Sequence, residues 1–282
     1  MNKKSEDQEW LNFKGFVRIP HRDLKCFDMI ARNPYHSIYK ATREKEEIIS
    51  VIMTRSINGE NEIKQTAEVV KSILALSHKN LVKPIGYDYE IYRSKDNQMV
   101  GVFYVMSEKI ERSLTDLIHT DTSYFEFEDN CFQFLLDILS SYFYLREKNL
   151  FHLDLRKINV FVENNTFKLA LPRLYQNEDI IYREDHYFIP EKYKIGFVLL
   201  QKPMDWVKSK IDPEKGEIYC LGNLLLSTLK SKNTIIDFMI KKMIAEDPQD
   251  RMTNTELFIY WQKNFLNIFE NKLKETTKVT FF

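Results

Sequence analysis

The sequence predicts an α+β fold in two lobes, with strands concentrated in the first third of the chain and helices in the rest. Residues 27–57 follow a strand-like pattern, and residues 48–53 are rich in β-branched side chains. Farther on, five apolar residues recur at helical spacing and mark one face of a helix: Phe132, Leu135, Leu136, Leu139 and Phe143. Beyond Lys215 the pattern is mostly helical.

The order of these elements divides the chain into three parts. Residues 1–25 form a mostly polar N-terminal extension, residues 26–272 a single domain, and residues 273–282 a C-terminal tail. Within the domain we expect a smaller lobe over residues 26–106 and a larger lobe over residues 110–272. A helix is predicted near residues 60–77, followed by strands at residues 81–91 and 99–106.

Composition and charge exclude several classes of protein. With 282 residues, 44% of them apolar, the chain can bury a substantial core. Lysine plus arginine equals aspartate plus glutamate, at 41 each, so we expect no nucleic acid as a partner. The sequence contains no apolar run of about 18 residues, so we expect no membrane partner either. Three scattered cysteines, Cys26, Cys131 and Cys220, favour a reducing, cytoplasmic location inside the cell.

One loop carries the most informative motif in the chain. Residues 152–159 read HLDLRKIN and are followed by a short apolar stretch. This resembles the catalytic loop of eukaryotic protein kinases, H-R-D-L-K-x-x-N. The resemblance implies that Asp154 occupies the position of the base that accepts the substrate hydroxyl proton, and Asn159 that of a magnesium ligand.

Further motifs of the same family follow in family order. They read IYKA at 38–41, HKNLV at 78–82, FYVMSE at 103–108, SLTDLI at 113–118, IPE at 189–191, EIYCLG at 217–222 and DPQDR at 247–251. The resemblance implies a two-lobed protein kinase-like fold, with a small antiparallel-sheet N-lobe, one main helix in it, and a larger, mostly helical C-lobe. It also implies structural roles for His152 and Glu217, and an ion pair between Glu191 and Arg251.

A second stretch of the sequence also matches the beginning of the H-R-D-L-K-x-x-N motif. Residues 21–25 read HRDLK, but they precede the first predicted strand, and Asp28 replaces the asparagine. We interpret this match as coincidence.

Several positions depart from the family pattern where the family handles ATP. The glycine-rich loop, whose bare backbone approaches phosphates, falls on Ala31, Asn33 and His36. The third-strand lysine is replaced by Thr54, and its glutamate partner falls on Val69. The metal-binding aspartate of D-F-G is replaced by Leu171, which offers magnesium no oxygen.

The adenine pocket is altered as well. The resemblance places Ile52 at its ceiling, Phe161 at its floor and Met106 at the gatekeeper position. Ile52 and Phe161 are larger than the usual alanine and leucine, so they are expected to fill the slot that adenine occupies. We therefore expect no bound cofactor and no metal.

These departures predict a pseudokinase, a kinase-like domain that acts as a scaffold or allosteric regulator of a protein partner such as an active kinase or its substrate. In that case Asp154 and Asn159 are retained for structural reasons. Two alternatives remain open. One is a divergent, weakly active ATP-dependent Ser/Thr/Tyr kinase that uses Asp154, with Arg55, Arg173 or His36 as a substitute cation. The other is a metal-free sensor of a nucleotide or small molecule.

Overall fold

A computed structural model of the chain describes residues 11, 13–32, 36–43, 48–109, 112–174, 212–230 and 233–266. For residues 26, 27, 30–32, 36, 48 and 266 it describes the backbone alone. The chain divides into two compact units. Unit A comprises Met1–Asp116, Asp137–His152 and Ile158–Asn177, and unit B comprises Leu117–Leu136, Leu153–Lys157 and Glu178–Phe282. The lobe boundaries expected at residues 106 and 110 stay a prediction.

Unit A contains a six-stranded antiparallel sheet. Its strands are β1 (Lys25–Arg32), β2 (His36–Thr42), β3 (Ile48–Thr54), β4 (Ile57–Asn58), β5 (Pro84–Arg93) and β6 (Met99–Ser107). Strands β1, β2, β3 and β6 are neighbours in that order, and β6 also pairs with β4 and β5. The strand predicted at residues 81–91 begins later, because Leu81 instead forms an isolated bridge with Leu169.

One helix packs against this sheet, and a small second sheet completes unit A. Helix α1 (Glu60–Leu74) buries the apolar stripe Ile63, Ala67, Val70 and Ile73. A methyl group on Gly101 of β6 would lie 3.1 Å from Ile63 Cγ1, so the glycine permits the close approach of helix and sheet. The second sheet has the order β7 (Arg112–Ser113), β8 (Val160–Glu163) and β9 (Thr166–Leu169).

Residues 13–24 of the N-terminal extension pack against the sheet of unit A. Val17 O accepts a hydrogen bond from Tyr87 N, and Ile19 N donates one to Tyr87 O, so this segment pairs with the free edge of β5. Phe13 stacks on the Tyr87 ring at 4.3 Å between centroids. Ile19 joins a core cluster on the sheet whose other members are Leu24, Ala41, Ile49, Val51, Tyr104 and Met106. Residues 13–24 are therefore a docked segment that covers an edge strand.

The buried carboxylate of Asp88 holds the same segment in register. Asp88 of β5 accepts hydrogen bonds from Arg18 Nε at 2.8 Å and from His21 N at 2.9 Å. Burial alone would raise the pKa of Asp88, but the hydrogen bonds from His21 and Arg18 outweigh it and hold that pKa below its usual value. The HRDLK stretch thus begins with a histidine that fixes the extension, and its interpretation as a coincidental match stays a prediction.

Three helices of unit B begin at side-chain caps. They are α4 (Pro213–Thr228), α5 (Thr234–Met243) and α6 (Asn254–Trp261), capped by Asp212, Asn233 and Thr253 respectively. Helices α2 (Leu114–Thr120) and α3 (Glu128–Glu147) contribute residues to both units. Of the face predicted for α3, Phe132, Leu135 and Leu139 are buried and Leu136 and Phe143 half-buried.

These elements confirm the predicted α+β class, an antiparallel-sheet region followed by a helical region. Among the residues that the structure describes, none of the helices is both long and apolar enough to cross a bilayer.

A half-buried histidine ties the HKN loop to α3 within unit A. His78 Nδ1 accepts a hydrogen bond from Asn80 N at 3.1 Å, so the ring is neutral with its proton on Nε2, 3.2 Å from Ser140 Oγ. Burial lowers the pKa of His78, and the charge of Lys79 adds to this effect.

The lowered pKa of His78 predicts how stability depends on pH. In the unfolded chain His78 takes up a proton near pH 6.5, whereas in the folded chain it does so only at lower pH. The contribution of His78 to folding stability is therefore complete above about pH 6.5 and is lost as pH falls below that value. The free energy of unfolding, measured with urea, should therefore fall more between about pH 7.5 and about pH 5 for the wild type than for His78→Gln. Equal losses in both proteins would contradict this expectation.

Candidate functional site

Thr54, at the lysine position, is the last residue of β3 and lies in the interior of unit A. It is 3% exposed, and its Oγ1 accepts a hydrogen bond from Phe103 N at 2.9 Å. The hydroxyl thereby extends the ladder between β3 and β6 by one bond beyond the pair of Met53 and Tyr104. The adjacent Arg55 is exposed and follows the strand. Position 54 therefore holds a neutral side chain whose oxygen is used by the sheet.

The glutamates of α1 point away from that position. All three, Glu60, Glu62 and Glu68, are exposed. Glu68 is bound by Lys71 Nζ at 2.7 Å on the helix surface, and its neighbour Val69 is half-buried. A carboxylate partner for a lysine at position 54 is thus not provided by the described residues of α1.

The register of β3 and β6 separates two of the predicted pocket residues. Ile52 pairs with Val105, whereas Met106 pairs with Val51. Side chains of paired residues share a face and alternate along a strand, so Ile52, Thr54 and Val105 lie on one face and Met106 on the other. Met106 packs in the cluster with Ile19 and Leu24. Met106 therefore does not share a face with Ile52, whereas both of its neighbours in β6, Val105 and Ser107, do.

The remaining positions of unit A gather around the end of β9. Asn159 O accepts a hydrogen bond from Ala170 N at 2.8 Å, and the His152 ring lies 3.1 Å from Ala170 O. Leu171 follows directly and is 6% exposed. Phe161, in β8 opposite Lys168, is half-buried. The structure thus brings Asn159, His152 and Leu171 together, and an aliphatic side chain occupies the D-F-G aspartate position.

The loop residues assigned to unit B have their own set of contacts. Leu153 adopts a left-handed conformation, with φ of 62°, and its N–H donates to Glu217 Oε1 at 3.0 Å. Both carboxylate oxygens of Asp154 accept hydrogen bonds from the Arg156 guanidinium, that from Nη2 to Oδ2 at 2.7 Å. Such a bidentate pair is among the stronger ionic contacts in proteins. The predicted base is therefore held by a cation two residues along the chain.

Arg251 is a second structural centre of unit B. Its guanidinium donates to three carbonyl oxygens, at 2.7 Å for Ala245, 3.1 Å for Glu246 and 3.4 Å for Lys215. It also lies 4.6 Å from the centre of the Tyr219 ring. These contacts join the beginning of α4 to the residues that follow α5.

Some predicted residues cannot be placed. Asn33 and Glu191 lie outside the described residues, so the ion pair expected between Glu191 and Arg251 stays a prediction. Ala31 and His36 are described by their backbone alone, in β1 and β2. Of the substitute cations considered, Arg173 is 2% exposed in unit A and donates its N–H to His152 O at 3.3 Å.

The sequence matches the model of a family described as protein tyrosine and serine/threonine kinase, over residues 25–194. This stretch is more than half of the chain. The chain belongs to this kinase family. The match begins at the first strand, directly after the docked segment, and includes Thr54, Asp154, Asn159 and Leu171.

Two curated proteins are similar to this kinase-family chain. The first is the mitogen-activated protein kinase homolog NTF6 of Nicotiana tabacum, 22% identical over 153 residues, which are 54% of this chain and 40% of that protein. The second, L232 of Acanthamoeba polyphaga mimivirus, is provisionally named a serine/threonine-protein kinase. It is 24% identical over 211 residues, 72% of this chain and 31% of that protein. The chain therefore spans less than half the length of either relative.

Proposed function

We propose that this kinase-family chain is a pseudokinase, a domain that no longer transfers phosphate and serves inside the cell as a scaffold or allosteric partner of another protein. One observation carries the proposal: at the position of the ATP-binding lysine, the Thr54 hydroxyl accepts a hydrogen bond from Phe103 N within the sheet. In this family the lysine contacts the α- and β-phosphates. Thr54 supplies neither the charge nor the length for that contact.

The position that should bind metal supports the same conclusion. Magnesium takes hard oxygen ligands in near-octahedral geometry. Leu171 has no such oxygen, and its side chain is buried in unit A. A metal ion would therefore have to be held without the aspartate that the family uses.

The state of Asp154 also disfavours proton transfer. A general base has to offer a free lone pair to the substrate hydroxyl. Both oxygens of Asp154 are engaged by Arg156, and the carboxylate is only 6% exposed. Accepting a proton would weaken this bidentate pair, because it removes the negative charge that Arg156 contacts.

The combined cost decides between weakened and abolished catalysis. Phosphoryl transfer depends almost entirely on positioning and charge stabilisation, and kinases turn over at roughly 1–100 per second. Loss of one preorganised electrostatic donor costs about 10²–10³ in rate. Even with strong non-additivity, losing both the lysine and the metal ligand lowers the rate by about 10⁴ or more.

Nucleotide binding provides the direct test. We expect the melting temperature of the full chain to be unchanged by ATP or ADP at about millimolar concentration, with or without magnesium. A ligand at about 100 times its dissociation constant would stabilise the fold by roughly 2.7 kcal/mol, a shift of several degrees. A catalytically active kinase serves as the positive control.

Each alternative has its own outcome in this experiment. A magnesium-dependent shift, together with transfer of labelled phosphate, would overturn the proposal in favour of a divergent kinase that uses Asp154. A shift with nucleotide alone would favour a metal-free sensor.

A further inference from the structure

The docked segment, residues 13–24, covers the face of the sheet that lies opposite α1. Gly101 of β6 faces α1, and side chains alternate along a strand, so Met106 points to the other face. On that face Ile19 and Leu24 of the segment pack with Met106 in the core cluster. Opening of the segment would therefore uncover an apolar surface of unit A, and the contacts that hold the segment decide how often this happens.

One histidine of the segment lies between two carboxylates of β5. His21 Nδ1 is 2.8 Å from Asp88 Oδ2, and His21 Nε2 is 3.2 Å from Glu90 Oε1. The imidazole is stacked on the ring of Tyr104 in β6, with 4.3 Å between the centroids and 1° between the planes. The Tyr104 hydroxyl donates to Glu90 Oε2 at 3.4 Å. The histidine ring is thus fixed with a carboxylate oxygen beside each of its nitrogens.

The protonation state of His21 decides whether this cluster is electrically balanced. A neutral imidazole has a single N–H, so one of its nitrogens would present a lone pair to a carboxylate, whereas the protonated ring presents an N–H to both. Arg18 of the same segment supplies one cation, bound to Asp88 Oδ1 at 2.8 Å. The two carboxylates, of Asp88 and Glu90, therefore face two cations when His21 is protonated and only one when it is neutral.

We propose that the docked segment is a pH-dependent regulatory element, which is held to the sheet by the protonated ring of His21 and opens more often when that ring is neutral. Histidine ordinarily changes charge near pH 6.5. The added attraction is therefore fully present below about pH 6.5 and is lost as pH rises above that value. The buried side chains of Phe13, Ile19 and Leu24 keep the segment docked most of the time in either state. The inference is independent of whether the chain transfers phosphate.

Limited trypsin digestion of the full chain measures the opening, because a protease cleaves within a docked segment only when that segment is locally open. The rate of cleavage after Arg18 is divided by the rate for a free peptide of residues 11–24 at the same pH, which removes the pH dependence of trypsin itself. From about pH 6 to about pH 8 this ratio should rise roughly threefold, as expected for the loss of a partly exposed ionic contact.

Three variants, each compared with a peptide of its own sequence, assign the rise to this histidine. In His21→Gln the amide can still donate to Asp88 but does not titrate, so the ratio should stay constant with pH. Glu90→Gln should show a smaller rise than the wild type. His78→Gln is the matched control and should keep the full rise, and melting temperatures verify that each variant folds. An absent rise in the wild type, an equal rise in His21→Gln, or its loss in His78→Gln would overturn the proposal.

Discussion

Replacing Ile19 by alanine is expected to destabilise the protein by about 2–5 kcal/mol, the usual cost of truncating a fully buried aliphatic side chain. Ile19 is 3% exposed in the cluster on the sheet of unit A. A methyl group on Gly86 would lie 2.5 Å from Ile19 Cδ1, so the docked segment and β5 approach as closely as a glycine permits. A typical domain has only about 5–15 kcal/mol of stability, so the effect is large.

Chemical denaturation measures this effect, with Val17→Ala as the matched control. Val17 lies two residues away in the same segment but is 58% exposed, so its truncation should change stability by no more than about 0.5 kcal/mol. Equal effects of the two substitutions would show that the segment is not docked. A chain that begins at residue 25, where the family match begins, should be less stable still, because it also lacks Phe13 and Leu24.

Replacing Arg251 by methionine should have a comparable effect on unit B, about 3–5 kcal/mol. The substitution leaves the carbonyl oxygens of Ala245, Glu246 and Lys215 without the guanidinium that now binds them. Each of these part-buried hydrogen bonds from a charged group contributes about 1.5–3 kcal/mol, partly offset by the apolar methionine side chain. Arg251→Lys should recover little, because an ammonium group cannot reproduce the planar fork of a guanidinium.

Urea unfolding of both Arg251 variants provides the measurement, and Lys241→Met serves as the control for loss of an exposed cation from unit B. The control should remain within about 0.5 kcal/mol of the wild type. If Arg251→Met unfolded at the same urea concentration as the control, the carbonyl contacts of Arg251 would not contribute to stability.

The sequence predicts the fold well wherever the signal is local. Residues 48–53 are rich in β-branched side chains and lie in β3, and the apolar stripe of α1 agrees with the predicted helix apart from its last turn. The strand expected from residue 81 shows the limit of such patterns. Leu81 is apolar and buried like a strand residue, but its bridge is to Leu169, far along the chain. Local periodicity carries no information about such a partner.

The candidate site is predictable by position but not by contact. The motif comparison could place Thr54 and Leu171, because each requires only a count along the chain. It could not assign Met106 to a face of the sheet, because a shift of one residue reverses the side chain and apolar residues occupy both faces of β6. The contacts of Phe13 and Ile19 could not be predicted from the sequence either, since their partners in β5 lie about seventy residues away.

The hydrogen bond between Thr54 and Phe103 bears on how this chain can evolve. A mutation that restores the family's lysine at position 54 would remove the oxygen that now accepts from the buried Phe103 N–H. Leaving that donor unpaired costs about 1–3 kcal/mol at once, whereas any gain in phosphate binding would have to wait for changes at Val69 and Leu171. Selection would therefore act against the first step of a reversion. The hydrogen bond to Phe103 N thus favours keeping threonine at position 54.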